Sequence, residues 1–412
     1  MSGRSADGAG SPRALGRRRF LKGAAAAAAT FHVVAPSSVR GSEANSRVTV
    51  GCIGFGGRGR LIAGMLAGHA GFEVTAVADY FPDVARAAGE RLKVAGARRF
   101  SGLSGYRKLI ASKVDAVFLE TPPCFFPEHA AAAVAAGCHV YVAKPVAVDV
   151  PGCVRIGELG RQATKAKRVF LVDFQTRTHP LFIEAIRRVH AGGLGKIGLI
   201  WSDYTDNGFR DPPLGKTIEG RLRGLTWVND VALGGGNLVA AGVHAVDVAL
   251  WVAGRAPVRA AGCSRASRAK PHGDTHDVYS ITYELPDGAI WTHRGEHVAN
   301  VYGFTCTCRA FGHGAYFEGS YDGRTFVRGG KQPYKGGTVE NLYRAGIEAN
   351  LNAFHKSVTA GVYDNPTVEP SVRSTLACIL GRDAARANGQ LTWQDMMKAN
   401  RRIEADLTGL KA

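Results

Sequence analysis

The sequence predicts an α/β protein of two domains, the first containing a doubly wound parallel sheet and the second a large, mostly antiparallel sheet with helices. A length of 412 residues, of which 45% are apolar, can fill two hydrophobic cores. Apolar β-branched runs alternate with helical patterns in the first half of the chain, whereas alternating strand patterns dominate the second half.

The first 44 residues form a segment of their own. Arg17, Arg18 and Arg19 precede Phe20-Leu21-Lys22 and an alanine-rich stretch too short and too weakly apolar for a stable membrane span. The arrangement resembles a twin-arginine (Tat) export signal. It predicts recognition by the Tat export machinery and a periplasmic or otherwise extracytoplasmic protein. We expect no membrane span in the remainder, because no other segment is apolar enough.

The charge balance does not predict a nucleic-acid partner. The formal charge is +18, but the first 44 residues hold seven basic side chains against two acidic ones, which leaves +13 for the remainder. That charge is spread along the chain without a basic run or an aromatic-interleaved RNA-binding motif. The sequence also lacks the CxxC or histidine-rich spacing of a metal site, so we expect no metal.

A glycine-rich turn follows the first predicted strand, residues 48–53. Gly54, Gly56 and Gly59 satisfy the pattern GxGxxG, and a helical pattern begins after them. Such glycines permit a tight turn, close approach of the backbone to a pyrophosphate, and close packing of helix on strand. The sequence therefore predicts an NAD-binding Rossmann domain over residues 45–175. The residues of the turn expected to bind the cofactor are Gly54, Phe55, Gly56, Gly57, Arg58 and Gly59.

An acidic residue ends the second predicted strand, residues 74–78. Asp79 lies about twenty residues beyond the last glycine of the turn, where a carboxylate can accept both hydroxyls of the adenosine ribose. A 2′-phosphate beside this carboxylate would be repelled, so the sequence predicts NAD as the cofactor and not NADP. The alternative is that Asp79 only forms the turn after its strand.

Two further strand ends carry candidate cofactor-binding residues. The strand at 114–119 is followed by Thr121, Pro122 and Pro123, and the strand at 138–143 ends at Lys144. The carboxyl ends of parallel strands meet at one edge of a sheet. We therefore expect these residues to surround one crevice together with the glycine turn and Asp79.

Residues 176–412 are predicted to form a second domain for substrate binding and oligomerisation. A predicted helix at 180–189 precedes alternating patterns typical of a large, mostly antiparallel sheet, at 196–204, 258–263, 278–285, 290–296 and 304–310. Residues 237–252 form a helical pattern, on which His244 shares a face with Ala240 and Asp247.

Several of these motifs occur together in one known family. The chain resembles the Gfo/Idh/MocA oxidoreductases over nearly everything after residue 47, and within them the exported, sugar-associated type of glucose-fructose oxidoreductase. The motifs that carry the resemblance are the glycine turn, Thr121-Pro122-Pro123 with His129, the strand ending in Lys144-Pro145, and Gly234-Gly235-Gly236 followed by His244.

The resemblance implies an NAD-dependent enzyme that transfers a hydride between nicotinamide and a hydroxyl-bearing carbon of a sugar, sugar derivative or cyclitol. It implies that Lys144 and His244 are catalytic and move the proton of that hydroxyl. It adds His129 to the cofactor-binding residues. The residues implied to bind the carbohydrate are Arg177, Tyr204, His244 and Asp247. Members of the family usually assemble, so a homodimer or homotetramer is expected.

Two departures from the family pattern leave alternatives open. In this chain the family's Glu-Lys-Pro motif has Ala143 in place of the glutamate. Ala240 lies four residues before His244, at a position where the family has an acidic residue. One alternative is a glycoside lyase or hydrolase that oxidises its substrate transiently, and another is a non-catalytic protein that binds nucleotide and sugar. For single residues, Lys144 could be an ordinary surface lysine, and His244 could be a buried partner of Asp247.

Overall fold

The first half of the chain forms a six-stranded parallel sheet with the strand order β3-β2-β1-β4-β5-β6, which is the Rossmann order. This computed structural model describes residues 47–215, 217–321 and 324–411. The predicted export signal therefore lies outside the described residues. The strands are β1 (Val48–Ile53), β2 (Phe72–Asp79), β3 (Arg99–Ser101), β4 (Ala116–Leu119), β5 (His139–Ala143) and β6 (Phe170–Asp173).

Helices connect the strands of this sheet and cover its faces. Strands β4 and β6 are buried at every position, as expected for a parallel sheet between two layers of helices. The connecting helices are α1 (Gly57–Gly68), α2 (Pro82–Arg91), α3 (Gly105–Ala111), α4 (Phe126–Ala135) and α5 (Val150–Lys165).

The second half forms a nine-stranded sheet with the order β14-β13-β12-β11-β7-β10-β9-β8-β15. Among the described residues, β7 pairs with β10 in parallel and the other pairs are antiparallel. The predicted fold class is confirmed. The strands are β7 (Ile197–Asp206), β8 (Arg259–Arg265), β9 (Val278–Glu284), β10 (Ile290–His297), β11 (Thr305–Gly312), β12 (Ala315–Ser320), β13 (Thr325–Gly329), β14 (Tyr334–Gly337) and β15 (Gln390–Thr392).

The helices of the second half include the one predicted over residues 237–252. Its first turn, Leu238–Gly242, is π-helical, and regular α-helix continues from Val243 to Ala253. The α-helices are α6 (Pro180–Arg188), α7 (Ile218–Leu222), α8 (Val231–Gly234), α9 (Val243–Ala253), α10 (Leu342–Ala360), α11 (Val368–Arg386) and α12 (Trp393–Ala399).

Helix α10 packs on the first sheet although it lies late in the chain. Its buried Ile347, Leu351 and Phe354 join the strand residues Phe118 and Tyr141 in one apolar cluster. The ring of Phe354 stands edge-on to both strand rings, with centroids 5.3 and 5.7 Å away. A helix that lies between two strands of the second sheet in the chain therefore helps to cover the first sheet, and a domain boundary after residue 175 stays a prediction.

One stretch of the described chain corrects the expectation that no later segment is apolar enough to span a bilayer. Val231–Ala253 is 23 residues long and apolar enough to cross one by length and composition. However, 94% of its most apolar window is buried inside the protein. The high hydropathy follows from this position, because a helix surrounded by other elements is apolar on all sides.

Candidate active site

The glycine turn has the geometry that dinucleotide binding requires. Gly54 has φ +93°, and a Cβ there would lie 2.7 Å from the backbone of Glu120. A Cβ on Gly59 would collide with the carbonyl oxygen of Gly54. At Gly56 and Gly57, by contrast, no heavy atom of the described residues lies within 4 Å of where a Cβ would stand, apart from the adjacent residues and the backbone of the same helix. The turn thus leaves open space in front of α1, where the pyrophosphate of NAD fits.

Asp79 at the end of β2 is held beside this turn. Its carboxylate accepts hydrogen bonds from the backbone nitrogens of Phe55, at 2.8 Å, and Phe81, at 3.0 Å. Burial raises the pKa of Asp79, and these two hydrogen bonds oppose that effect. The two bonds leave acceptor capacity on the carboxylate for the hydroxyls of an adenosine ribose.

One crevice brings together most of the predicted cofactor-binding residues. The whole glycine turn lines it, with Asp79, Thr121, Pro122 and His129. Later segments close its other side and were not anticipated from the sequence, because nothing local in them indicates a nucleotide. The lining residues from those segments are Leu222, Arg223, Gly224, Leu225, Trp227 and Leu410.

Two residues predicted to bind the cofactor lie outside the lining of that crevice. Pro123 is buried at the start of a short 3-10 turn and faces a different cavity. Lys144 follows β5 and points toward the second half of the chain, where its Nζ donates to the carbonyl of Ala240 at 2.8 Å. Contact of these two residues with the cofactor stays a prediction.

His129 is an uncharged ring within the crevice wall. It stacks on Tyr106, with centroids 4.1 Å apart, and on Phe125, with centroids 5.7 Å apart. Burial lowers the pKa of His129 to about 4. The imidazole is therefore neutral at physiological pH and offers a flat, partly polar surface to a ligand.

Lys144 follows β5 of the first sheet and contacts the π-helical turn that precedes α9. Burial and then the positive charge of Arg58 lower its pKa to about 7. A lysine with this pKa is an uncharged amine in about half of the molecules at neutral pH, so it can accept a proton.

His244 on α9 binds Tyr321, not Asp247 as the alternative for this residue supposed. Its Nδ1 lies 2.8 Å from the hydroxyl of Tyr321, and its ring stacks on Tyr204 with centroids 6.2 Å apart. Burial, followed by the charges of Lys144 and Arg58, lowers the pKa of His244 well below its ordinary value. The imidazole is therefore neutral.

Gln175 determines which nitrogen of His244 carries the proton. In the amide orientation that gives both ends of Gln175 a matching partner, its nitrogen donates to the hydroxyl of Tyr321 and its oxygen accepts from Arg58 at 3.0 and 3.2 Å. The hydroxyl of Tyr321 therefore donates to Nδ1 of His244. In a neutral imidazole the remaining proton is then on Nε2.

A buried charged cluster lies beside these groups. Arg58 forms an ion pair with Asp173 at the end of β6 and places its Nε 3.4 Å from Glu120 at the end of β4. Asn350 on α10 donates to the other oxygen of Asp173. Glu120 and Asp173 were missed as site residues, although both occupy the carboxyl end of a parallel strand, where ligands are expected to bind.

Arg177 and Asp247 bind each other. Two hydrogen bonds of 2.8 and 2.9 Å join the guanidinium to the carboxylate. Ser374 donates to the same carboxylate at 2.6 Å, and Trp251 lies under the guanidinium at 4.6 Å. Substrate binding by Arg177 and Asp247 stays a prediction. The charge of each residue is already paired with that of the other.

The fold and the crevice define an NAD-binding Rossmann protein with a second, sheet-based domain. Residues 48–174 match the family described as "Oxidoreductase family, NAD-binding Rossmann fold", and residues 182–318 match the "GFO/IDH/MocA C-terminal domain". The chain belongs to the Gfo/Idh/MocA family of oxidoreductases.

Individual relatives agree with this family. Inositol 2-dehydrogenase 2 of Saccharopolyspora erythraea is 28% identical over 246 residues, which are 59% of this chain and 65% of that protein. An uncharacterised oxidoreductase of Rhizobium meliloti, ORF334, is 31% identical over 48% of this chain and 54% of its own length. The chain thus matches between about half and two thirds of the length of these relatives.

A solved structure extends the likeness of fold to nearly a whole chain. GenD2 from gentamicin A biosynthesis, in complex with NAD, has a TM-score of 0.68 at 20% identity, covering 86% of this chain and 98% of its own. This likeness concerns the fold.

Proposed function

We propose that this protein is an NAD-dependent oxidoreductase that transfers a hydride between nicotinamide and a hydroxyl-bearing carbon of a sugar, sugar derivative or cyclitol. The observation that carries the proposal is the juxtaposition of Lys144 and His244. Lys144 ends a strand of the Rossmann sheet, and its amine is bound to the carbonyl of Ala240, four residues before His244. Both groups are adjacent to the carboxyl edge where a dinucleotide binds.

The two side chains have complementary roles in this reaction. NAD, when bound, supplies the carbon that accepts or returns the hydride. The uncharged amine of Lys144 accepts the proton of the substrate hydroxyl, and its ammonium form returns that proton in the reverse direction. The Nε2 proton of His244 is available to donate a hydrogen bond to the substrate oxygen. Family members that act on inositol support a polyhydroxylated substrate.

The test begins with the nucleotide that accompanies the purified protein. We expect NAD to be released on denaturation, and a panel of sugars, sugar acids, inositols and glycosides to contain a substrate that reduces it, followed by absorbance of the reduced cofactor. Disappearance of a glycoside without net reduction would indicate the transient-oxidation lyase or hydrolase instead. Nucleotide retention without turnover of any compound would indicate a binding protein.

We also propose that the protein is exported by the Tat machinery, because twin arginines precede a short alanine-rich apolar stretch. Replacing Arg17 and Arg18 together by lysine should keep the protein in the cytoplasm, since Tat recognition depends on the arginine pair and not on charge alone. Fractionation of cells expressing either form measures this. Equal exported amounts of both forms would contradict the proposal.

Self-association of the chain forms part of the same proposal. One face of the second sheet carries half-exposed apolar side chains on three adjacent strands, namely Leu199, Trp201, Ile290 and Phe311. An apolar sheet face of this kind is typical of a subunit interface. It supports the homodimer or homotetramer expected from the family.

A further inference from the structure

The glutamate that is absent at position 143 has a counterpart on the neighbouring strand. In the parallel pair β4–β5, Leu119 is in register with Val142. The next residues along the two strands are Glu120 and Ala143. Glu120 therefore lies beside position 143, where the family has the glutamate of its Glu-Lys-Pro motif. Both positions are at the same edge of the sheet, and position 143 directly precedes Lys144.

The Glu120 side chain is buried and poorly satisfied by the protein. Only 3% of it is exposed, and neither carboxylate oxygen has a hydrogen-bond partner among the described residues. The Nε atom of Arg58 lies 3.4 Å from one carboxylate oxygen. A buried carboxylate without hydrogen bonds is unfavourable, so its presence in the site calls for a functional explanation.

Glu120 and Lys144 act on each other electrostatically. Burial raises the pKa of Glu120, and the positive charges of Arg58 and Lys144 oppose that effect. Glu120 in turn favours the ammonium form of Lys144. The other titratable groups that interact with one or both residues are Arg58, Asp173, Tyr141, Cys52, Cys306, Cys378 and His244.

We propose that Glu120 replaces the glutamate absent at position 143 and is a positioning residue for Lys144. Its carboxylate stabilises the ammonium that forms when Lys144 accepts the substrate proton. No bond is made or broken at Glu120. The inference rests on the proposed function only in assigning that proton to Lys144, since the electrostatic effect on the amine needs no substrate.

The experiment measures the protonation of Lys144 directly. The full-length protein is labelled with limiting acetic anhydride between pH 5 and 9, and the rate at Lys144 is read by mass spectrometry. Glu120→Gln should lower the pKa of Lys144, which makes labelling near neutral pH several-fold faster, because Glu120 is most ionised at that end of the range and only the neutral amine reacts. Glu73→Gln, an exposed glutamate on β2, is the matched control and should leave the rate unchanged.

Moving the carboxylate from position 120 to position 143 distinguishes the electrostatic role of Glu120 from a role in packing. Glu120→Ala should accelerate labelling as Glu120→Gln does, and adding Ala143→Glu should return the rate at Lys144 to that of the wild type. If the glutamine variant fails to fold, Glu120→Asp takes its place in the comparison. Because this substitution keeps the charge, the labelling rate at Lys144 should remain close to that of the wild type. Unchanged labelling in Glu120→Gln, or no recovery in the exchanged variant, would overturn the proposal. Labelling shifts without turnover of any sugar would contradict the proposed function alone.

Discussion

Lys144→Met should reduce the turnover of the substrate found in the panel by ~10²-fold or more while the protein still retains its nucleotide. A positioned acid–base group contributes about this factor, and methionine keeps the length of the side chain but cannot accept a proton. Nucleotide retention should persist because Lys144 lies outside the crevice lined by the glycine turn and Asp79. Single-turnover hydride transfer, with separate quantification of bound nucleotide, measures both effects.

The pH dependence of the wild-type enzyme gives a second expected result for the same residue. Because the pKa of Lys144 is lowered to about 7, oxidation of the substrate should accelerate as the pH rises through 7 and the amine loses its proton. His244 should not contribute to this limb, since its pKa lies well below the ordinary value. In Lys144→Met the rise near pH 7 should vanish.

The catalytic role of Lys144 has a matched control variant and an outcome that would refute it. Lys165→Met removes an exposed lysine at the end of α5 and should leave turnover unchanged. If Lys144 and His244 serve one proton transfer, removing both should cost less than the product of the single losses. Wild-type rates in Lys144→Met would refute the catalytic role, although the assignment of the fold would stand.

The nucleotide half of the site was predictable because its signals are local. Gly54, Gly56 and Gly59 lie within six residues, and the structure shows the backbone approach and the open space that their pattern predicts. Asp79 follows its strand at the expected distance and contacts the turn itself. Short spacing along the chain thus determined short distances in space.

The proton-transfer half of the site depends on contacts between distant residues. Tyr321 reaches His244 across 77 positions of the chain, and Ala240 meets Lys144 across 96. No spacing rule links such pairs, so Tyr321 could not be predicted as a partner of His244. Glu120 was overlooked because its neighbours Thr121 and Pro122 matched the family motif, whereas the strand register that sets it beside Ala143 emerges only from the folded sheet.

Arg177→Met should lower the free energy of unfolding by about 3–5 kcal/mol, which is the usual cost of removing one partner of a buried ion pair. The carboxylate of Asp247 has no exposed side-chain surface, and the side chain of Arg177 is 9% exposed. Without the guanidinium, Asp247 would keep the hydrogen bond from Ser374 but remain buried as an uncompensated charge. Urea denaturation followed by tryptophan fluorescence measures the loss.

The double variant Arg177→Met with Asp247→Leu decides whether this pair supports the structure or binds the substrate. Removing both charges leaves no buried ion, so most of the lost stability should return. Arg187→Met, which removes an exposed helix arginine paired with Glu184, should change stability by less than about 1 kcal/mol and serves as control. If the single variant is as stable as the wild type but needs a much higher substrate concentration for half-maximal turnover, Arg177 binds substrate as the family resemblance implies. A large loss of stability that the second substitution repairs assigns the pair to the core beneath α9, and leaves Lys144, His244 and Tyr204 as the groups that face the reaction.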